Sequence, residues 1–236
     1  MVKIKRSNFF QILKNNQGFS ILEILIALFI GGLLFSTLNF GGNSAGGRKK
    51  VDRIKNQIES AIRFASDEAA LRNVIVRVHF LLDKDPQEYN VQYGPDANFI
   101  LPRNIVTDRE KLTLSQRENQ DKKQENLNKN FNNVSEFEKR NIDLPPTIKI
   151  VGLGNAESEV LQFDGEASIY VYPSGEKDET MVFFGTEDEV ITLEVPPYST
   201  TFASNYYELQ LPQDQEPDLE DLWITQAKDL FTTWLK

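Results

Sequence analysis

The strongest pattern in the chain is an apolar run close to its beginning. Residues 19–40 comprise 22 positions with a single charge, that of Glu23. About 20 apolar residues cross the hydrocarbon core of a bilayer, and a helix is the only single segment that satisfies its own backbone there. The run therefore predicts a transmembrane helix over 19–40, in which Gly31 and Gly32 permit close packing against another helix.

A helical period follows a glycine-rich stretch. Residues 41–47 read Gly-Gly-Asn-Ser-Ala-Gly-Gly, which predicts a helix-breaking linker that acts either as a hinge or as a simple connection. Between residues 48 and 73, apolar side chains recur at three- and four-residue steps, which predicts an amphipathic helix packed against a sheet. The stripe consists of Val51, Ile54, Ile58, Ala61, Ile62, Ala65 and Ala69.

The period then becomes that of β-strands. Residues 74–82 and 89–94 are rich in β-branched and aromatic side chains and flank a polar turn, which predicts a hairpin. His79 falls on the opposite face from Val78, so we expect it to face solvent or to lie at a sheet edge. Five further segments joined by short turns predict an antiparallel meander: 147–153, 160–163, 167–172, 179–184 and 189–195.

Two regions depart from this alternation. Residues 95–140 are too polar to bury a core of their own, which predicts a partly disordered insertion that is helical around 131–140. An inert surface loop is the favoured interpretation, and a partner-binding arm is the alternative. Residues 212–218 form an acidic spacer, after which Asp218 is placed to cap a C-terminal helix. The apolar face of that helix, which packs on its own domain or docks a neighbouring subunit, contains Trp223, Leu230, Phe231 and Trp234.

These elements predict an α+β fold. An N-terminal transmembrane helix and an amphipathic helix pack on an antiparallel β-sheet, and a helix ends the chain. The expected organisation is a leader at 1–18, a transmembrane helix at 19–40, a linker at 41–47, an α+β domain at 48–211 with its insertion at 95–140, and a spacer and helix at 212–236.

Charge and composition exclude several classes of function. The net charge is −9 and residues 1–18 carry +4, so the remainder carries −13, which repels nucleic acid over most of the surface. The chain has no cysteine and one histidine, His79, so it offers no disulfide and a poor transition-metal site. Acidic clusters at 83–85, 176–179 and 187–189 do not match a twelve-residue calcium loop. We therefore expect no enzyme activity, no metal and no cofactor.

The leader differs from an ordinary secretory signal. It contains Lys3, Lys5, Arg6 and Lys14 and no acidic residue, which marks the cytoplasmic side of a membrane segment. A secretory signal carries its apolar region before the cleavage site, whereas here the apolar run follows the Gly18-Phe19 junction. Cleavage between Gly18 and Phe19 would keep the helix. The alternative is an uncleaved anchor with a chance Gly-Phe pair.

Glu23 requires a reason to lie in this run. A charge at the centre of a span costs about 2.5–3.5 kcal/mol on insertion scales, and less near an end. Either Glu23 extends to the interface, or it pairs with a cation inside the membrane. The new amine of Phe19 on a neighbouring subunit would supply such a cation, and we favour this second interpretation.

Gly18-Phe19-Ser-Ile-Leu-Glu23 followed by an apolar helix resembles the class III signal of type IV pilins and type II secretion pseudopilins. The resemblance implies that a prepilin peptidase cuts after Gly18 and N-methylates Phe19, and that Glu23 sets the subunit register in a filament. The helix-to-strand junction at 61–80, the Pro145-Pro146 segment and the turn at 169–175 are similar to those of the H-type minor pseudopilins (general secretion pathway protein H) and the fimbrial T family.

The sequence thus predicts a minor pseudopilin of a type II secretion pseudopilus that initiates or caps the filament. Its expected partners are prepilin peptidase, other pseudopilins or pilins and the membrane, without nucleic acid. The expected location is the bacterial inner membrane, single-pass, with the C-terminal domain in the periplasm. A minor pilin of a type IV pilus is the alternative, and a membrane-tethered extracytoplasmic enzyme is a weaker one.

Overall fold

The computed structural model describes residues 21–22, 24–30, 42–101, 112–135, 141–146, 148–210 and 218–236. The chain divides into two compact units, residues 1–45 and 46–236. Residues 21–22 and 24–30 are helical. The leader and the expected processing and assembly residues Gly18, Phe19 and Glu23 lie outside the described residues.

Helix α1 spans Gly42–Arg72 and buries its apolar stripe as the period predicts. The helix begins six residues before Arg48, inside the stretch expected to interrupt it. This start corrects the expected helix boundary: glycine costs only about 1 kcal/mol relative to alanine in a helix, and propensity is easily outweighed by the rest of the segment. The linker function of 41–47 stays a prediction. The stripe, which is at most 3% exposed, consists of Val51, Ile54, Ile58, Ala61, Ile62, Ala65 and Ala69.

Ten strands form two antiparallel sheets in the described part of the chain. They are β1 (Val74–Leu81), β2 (Glu88–Asp96), β3 (Asn132–Asn133), β4 (Ile142–Asp143), β5 (Lys149–Asn155), β6 (Val160–Gln162), β7 (Glu166–Val171), β8 (Thr180–Gly185), β9 (Glu189–Val195) and β10 (Ala203–Glu208). The first sheet has the order β3-β2-β1-β7, with β4 also paired to β2, and the second has the order β10-β9-β8-β5-β6.

The predicted hairpin is confirmed. The predicted meander is confirmed in its antiparallel strands and in the pairs β5–β6 and β8–β9, but it is wrong in its single sheet. Strands β1 and β2 pair from Val74 opposite Asp96 to Leu81 opposite Glu88. Strand β7 does not pair with its neighbours in sequence, β6 and β8. It pairs with β1 in the first sheet, with Val78 opposite Ile169. The single sheet expected from the sequence is therefore two sheets, because short turns suit a meander but the choice of partner strand depends on long-range packing.

The main core lies between helix α1 and the two sheets. Val78 and Phe80 from β1, Ile169 from β7, and Val182 and Phe184 from β8 share one buried cluster with the α1 stripe. Successive strand residues point to opposite faces, so each sheet also has a second face that another segment must cover.

The polar insertion covers the second face of the first sheet. Helix α2 spans Leu114–Asn128, and Thr113 caps it in a capping box with Gln116. Leu127 and Phe131 are buried against Ile75. The helix expected around 131–140 is wrong for residues 131–135, which include β3, and residues 136–140 lie outside the described part of the chain. The described insertion is thus packed, because three buried apolar residues, Leu127, Phe131 and Val134, anchor an otherwise polar segment.

The C-terminal helix covers the second face of the second sheet. Helix α3 spans Leu219–Trp234, and the Asp218 side chain accepts a hydrogen bond from the backbone N–H of Glu220, as expected of its cap. Ala227 and Phe231 share a buried cluster with Val151, Met181 and Phe183. The molecule is therefore a mixed fold of helices and antiparallel sheets that ends in a helix, as the sequence predicts.

Candidate functional site

The helical residues next to the expected processing site are apolar and exposed. Among residues 21–22 and 24–30, the large hydrophobic side chains are between 50% and 80% exposed, with Ile21 at the upper limit. A helix that is apolar on all sides is unfavourable in water. Such a helix is stable when lipid or other apolar helices cover its surface. Within the described ranges, no helix combines the length and apolar character that a membrane crossing requires.

The second candidate site is the aromatic face of α3. The ring of Phe231 lies over Gly154 on β5, where a Cβ atom would come within 2.4 Å of the ring. Trp223 lies over Gly185 in the same way, with a closest approach of 2.5 Å to a Cβ atom built there. The indole N–H of Trp223 also donates to the carbonyl oxygen of Thr186, at 2.8 Å. Two glycines therefore make room for two aromatic side chains of the same chain.

The other two residues predicted to dock a subunit join the same cluster. Leu230 and Trp234 are half-buried beside Phe231, and the rings of Phe231 and Trp234 lie 5.9 Å apart. Trp223 and Phe231 thus contact the second sheet of their own chain, and Leu230 and Trp234 pack against the same cluster, which supports packing on the domain. Docking of a neighbouring subunit through the remaining exposed surface stays a prediction.

A groove of about 420 Å³ runs beside the start of α3. Trp223 and Ile224 form one wall, and Pro145 and Pro146 line it on the segment before β5. Four carboxylates and two lysines also line it, namely Asp83, Asp85, Asp164, Glu220, Lys84 and Lys149. Lys149 pairs with Glu220 at 2.8 Å, and Lys84 pairs with Glu88 at 2.7 Å.

The described residues contain no group of three or more histidine, cysteine or acidic side chains placed to hold a metal ion.

Sequence reasoning missed a buried polar network beneath the insertion. Arg77 is 1% exposed. Its guanidinium donates to the side-chain oxygens of Gln92 at 2.8 Å and Asn128 at 2.9 Å. It also lies 4.1 Å from the ring centroid of Phe131. Burial lowers the pKa of Arg77 from its usual value. The network therefore ties α2 to the first sheet, and the clue in the sequence is the alternation of Arg77 and His79 with apolar residues on β1.

His79 does not face solvent, so that expectation is wrong. It is 4% exposed, because β1 lies between β2 and β7 and the insertion covers its outer face. The ring Nδ1 lies 2.9 Å from the hydroxyl oxygen of Ser168, and Nε2 lies 3.6 Å from a carboxylate oxygen of Glu166. The sequence could not reveal this environment, because the order of strands decides which one is central.

The Ser168-His79-Glu166 group has the residue types of a hydrolytic triad but unsuitable electrostatics. Burial, aided by the charge of Arg77, lowers the pKa of His79 to about 3. A general base works best when its pKa lies near the working pH, so His79 is too weak a base to activate Ser168 at neutral pH. The Asn128 side chain also donates a hydrogen bond to the carboxylate of Glu166, at 2.6 Å. This carboxylate therefore helps to attach the insertion to β7. The contacts suit a structural role.

Comparison with known families gives one match. Residues 13–38 match the prokaryotic N-terminal methylation motif. The matched segment contains Gly18, Phe19 and Glu23. It supports the type IV pilin and pseudopilin superfamily in general, and with it processing by prepilin peptidase, assembly with other pilins and anchoring by the N-terminus. No curated protein and no solved structure matches the chain.

Proposed function

We propose that this protein is a minor pseudopilin of a type II secretion pseudopilus. It is cut between Gly18 and Phe19, N-methylated at Phe19, and assembled through its N-terminal helix to initiate or cap the filament. It resides in the bacterial inner membrane with its C-terminal domain in the periplasm. The observation that carries the proposal is the methylation motif at 13–38, in which Gly18 precedes an apolar run that begins at Phe19 and contains Glu23.

Two further observations support a structural subunit rather than an enzyme. The nine described residues of the N-terminal helical segment are exposed and apolar, as expected of a surface that lipid or neighbouring helices cover. The single histidine of the chain is buried with a lowered pKa, so His79 supplies no general base. A minor pilin of a type IV pilus uses the same signal and remains the second candidate. Neighbouring secretin and secretion-ATPase genes, as opposed to pilus-retraction genes, would distinguish them.

The first test concerns cleavage. Gly18→Val should leave an uncleaved precursor when the full chain is expressed with a prepilin peptidase, because the peptidase must fit a small residue at the cut. The unmodified chain should give a product that begins at Phe19 and carries one extra methyl group. Immunoblotting and mass spectrometry measure both. Gly41→Val is the matched control and should be cleaved normally; a mature-sized Gly18→Val product would contradict the assigned signal.

The second test concerns assembly. Glu23→Leu removes the charge in the apolar run, so membrane insertion should be retained or improved while incorporation into filaments is strongly reduced. Glu23→Asp keeps a carboxylate and should assemble better than Glu23→Leu. Membrane fractionation reports insertion, and shearing or crosslinking of filaments reports assembly. Normal incorporation of Glu23→Leu would mean that Glu23 simply reaches the interface.

A further inference from the structure

The start of α1 carries a cluster of cations in an otherwise acidic protein. Five basic residues lie between positions 48 and 55, whereas the chain as a whole has a net charge of −9. They are Arg48, Lys49, Lys50, Arg53 and Lys55. A cluster of one sign on a surface of the opposite sign creates a local field that attracts a ligand the rest of the molecule repels.

Two of these five cations are used inside the domain. Arg48 forms an ion pair with the buried carboxylate of Glu189, and this hydrogen-bonded partner raises the pKa of Arg48. Lys55 pairs with Asp52 at 3.0 Å and donates to the hydroxyl of Tyr206 at 3.3 Å. These contacts fasten the start of α1 to strands β9 and β10, so they account for Arg48 and Lys55 without a ligand.

The other three cations form one exposed face. Lys49, Lys50 and Arg53 are exposed, and across the described ranges no hydrogen bond or ion pair engages their side chains. Positions three and four apart share a helix face, so Arg53 lies beside both lysines. The buried residues Val51 and Ile54 lie on the other side of α1. We call Lys49, Lys50 and Arg53 the cationic face.

The place of this face in the sequence indicates what it contacts. Lys49 is the ninth residue after Phe40, where the apolar run ends. Nine residues cover about 14 Å at a helical rise. The polar headgroup region of one leaflet is about 5–8 Å thick. Anionic lipid acts on charges for about one Debye length beyond that, roughly 8 Å at physiological ionic strength. Long lysine and arginine side chains at this point of the chain are within reach of the membrane surface.

Membrane topology does not explain the positive charge of the cationic face. In the proposed orientation the cationic face lies on the translocated side of the membrane. Lysine and arginine near that side oppose translocation, since they favour the cytoplasmic side. Three exposed cations that neither stabilise the fold nor favour the topology indicate a separate binding role.

We propose that the cationic face of Lys49, Lys50 and Arg53 binds the headgroups of anionic phospholipids in the membrane that holds the N-terminal helix. The proposal rests on the membrane anchoring included in the proposed function. Binding holds the start of α1 at the membrane surface, and the acidic remainder of the domain is repelled from the same surface, so the contact orients the domain before assembly.

The test uses the full chain, which has no native cysteine. A fluorophore on Asn56→Cys, an exposed position on the same side of α1, reports proximity to a quencher attached to lipid headgroups. The chain is placed in nanodiscs of phosphatidylcholine alone or of phosphatidylcholine with phosphatidylglycerol. We expect stronger quenching in the anionic discs, and we expect high salt to remove the difference.

The variant Lys49→Gln, Lys50→Gln, Arg53→Gln should reduce quenching in anionic discs to the level of neutral discs. Each cation removed should weaken surface association by about fivefold. The matched control removes three exposed lysines from the insertion, Lys122→Gln, Lys123→Gln and Lys129→Gln, and should keep the full response. Equal quenching in both kinds of disc, or an equal loss in the two variants, would overturn the proposal.

The same experiment separates this proposal from the one on which it rests. Incorporation of the chain into neutral discs reports anchoring by the N-terminal segment, independently of the cationic face. A chain that incorporates without a composition-dependent response refutes the lipid contact and leaves the anchoring intact. A chain that does not enter either disc contradicts the anchoring itself.

Discussion

The two sheets are covered on their second faces by unlike segments. Helix α3 covers the second sheet with Phe231 and Trp223, and the insertion covers the first sheet with a polar network around Arg77. The apolar cover gains from removal of aromatic surface from water, and the fit of two rings over two glycines adds close contact. The polar cover instead depends on hydrogen bonds to the buried guanidinium of Arg77. Its contribution to stability is therefore set by hydrogen-bond geometry more than by buried area.

This difference affects how each cover responds to damage. Loss of an aromatic side chain from α3 leaves a cavity, and the cost follows the volume removed. Loss of Arg77 removes the donor from the half-buried side-chain oxygen of Gln92, and it leaves the oxygen of Asn128 with only a 3.5 Å contact from Gln124. The apolar cover should therefore contribute to global stability, and the polar cover should control the local opening of the insertion.

The largest effect is expected from Phe231→Ala. The side chain is 5% exposed and fills the space above Gly154, so truncation should lower the free energy of unfolding by about 3–5 kcal/mol. Chemical denaturation followed by tryptophan fluorescence measures the loss. Thr232→Ala, an exposed neighbour on α3, is the matched control and should change stability little. A Phe231→Ala protein as stable as that control would mean that α3 is not part of the cooperative core.

An intermediate effect is expected from Arg77→Met. Methionine keeps much of the length and apolar character of the side chain but removes the donors to Gln92 and Asn128 and the cation over Phe131. The free energy of unfolding should fall by about 1–3 kcal/mol. Hydrogen exchange should quicken mainly in helix α2. Lys123→Met removes an exposed cation from the same region as the control. Uniform acceleration throughout the domain would contradict a local role for the network.

The contrast between the covers also explains what the sequence could predict. Asp218, the spacing of the aromatic residues and the stripe of α1 follow local rules of capping and period, and the structure agrees with them. The cover formed by the insertion was missed because only three residues, Leu127, Phe131 and Val134, anchor it, through contacts distant in sequence. The pairing of β7 with β1 is likewise a long-range choice that turn chemistry does not reveal.

Strand β10 and the candidate sites show the same limit. Ala203–Glu208 is largely exposed and has little apolar alternation, so nothing local marks it as a strand. The processing pair and Glu23 were predicted from a short local motif, and they lie within residues 13–38, which match the prokaryotic N-terminal methylation motif. The buried position of His79 was not found, because burial of a strand residue depends on which segments lie over the sheet.

The smallest effect is expected from the titration of His79, which reports on the polar cover alone. Its folded-state pKa is about 3, whereas the unfolded value is 6.5. Between these values the unfolded chain binds a proton that the folded chain does not, so stability is present above pH 6.5 and is lost as the pH falls toward 3. This one group should remove about 1 kcal/mol of stability between pH 6.5 and about 5.5.

Substitution of His79 isolates that contribution. His79→Asn keeps a polar group near Ser168 and cannot titrate, so its stability should vary less with pH over this interval than that of the unmodified chain. Ser168→Ala is the control, because it removes the 2.9 Å contact to Nδ1 and leaves the imidazole buried. It should lower stability by a similar amount at both pH values. An unchanged pH dependence in His79→Asn would mean that the imidazole is hydrated, and that the polar cover opens far more readily than the cover formed by α3.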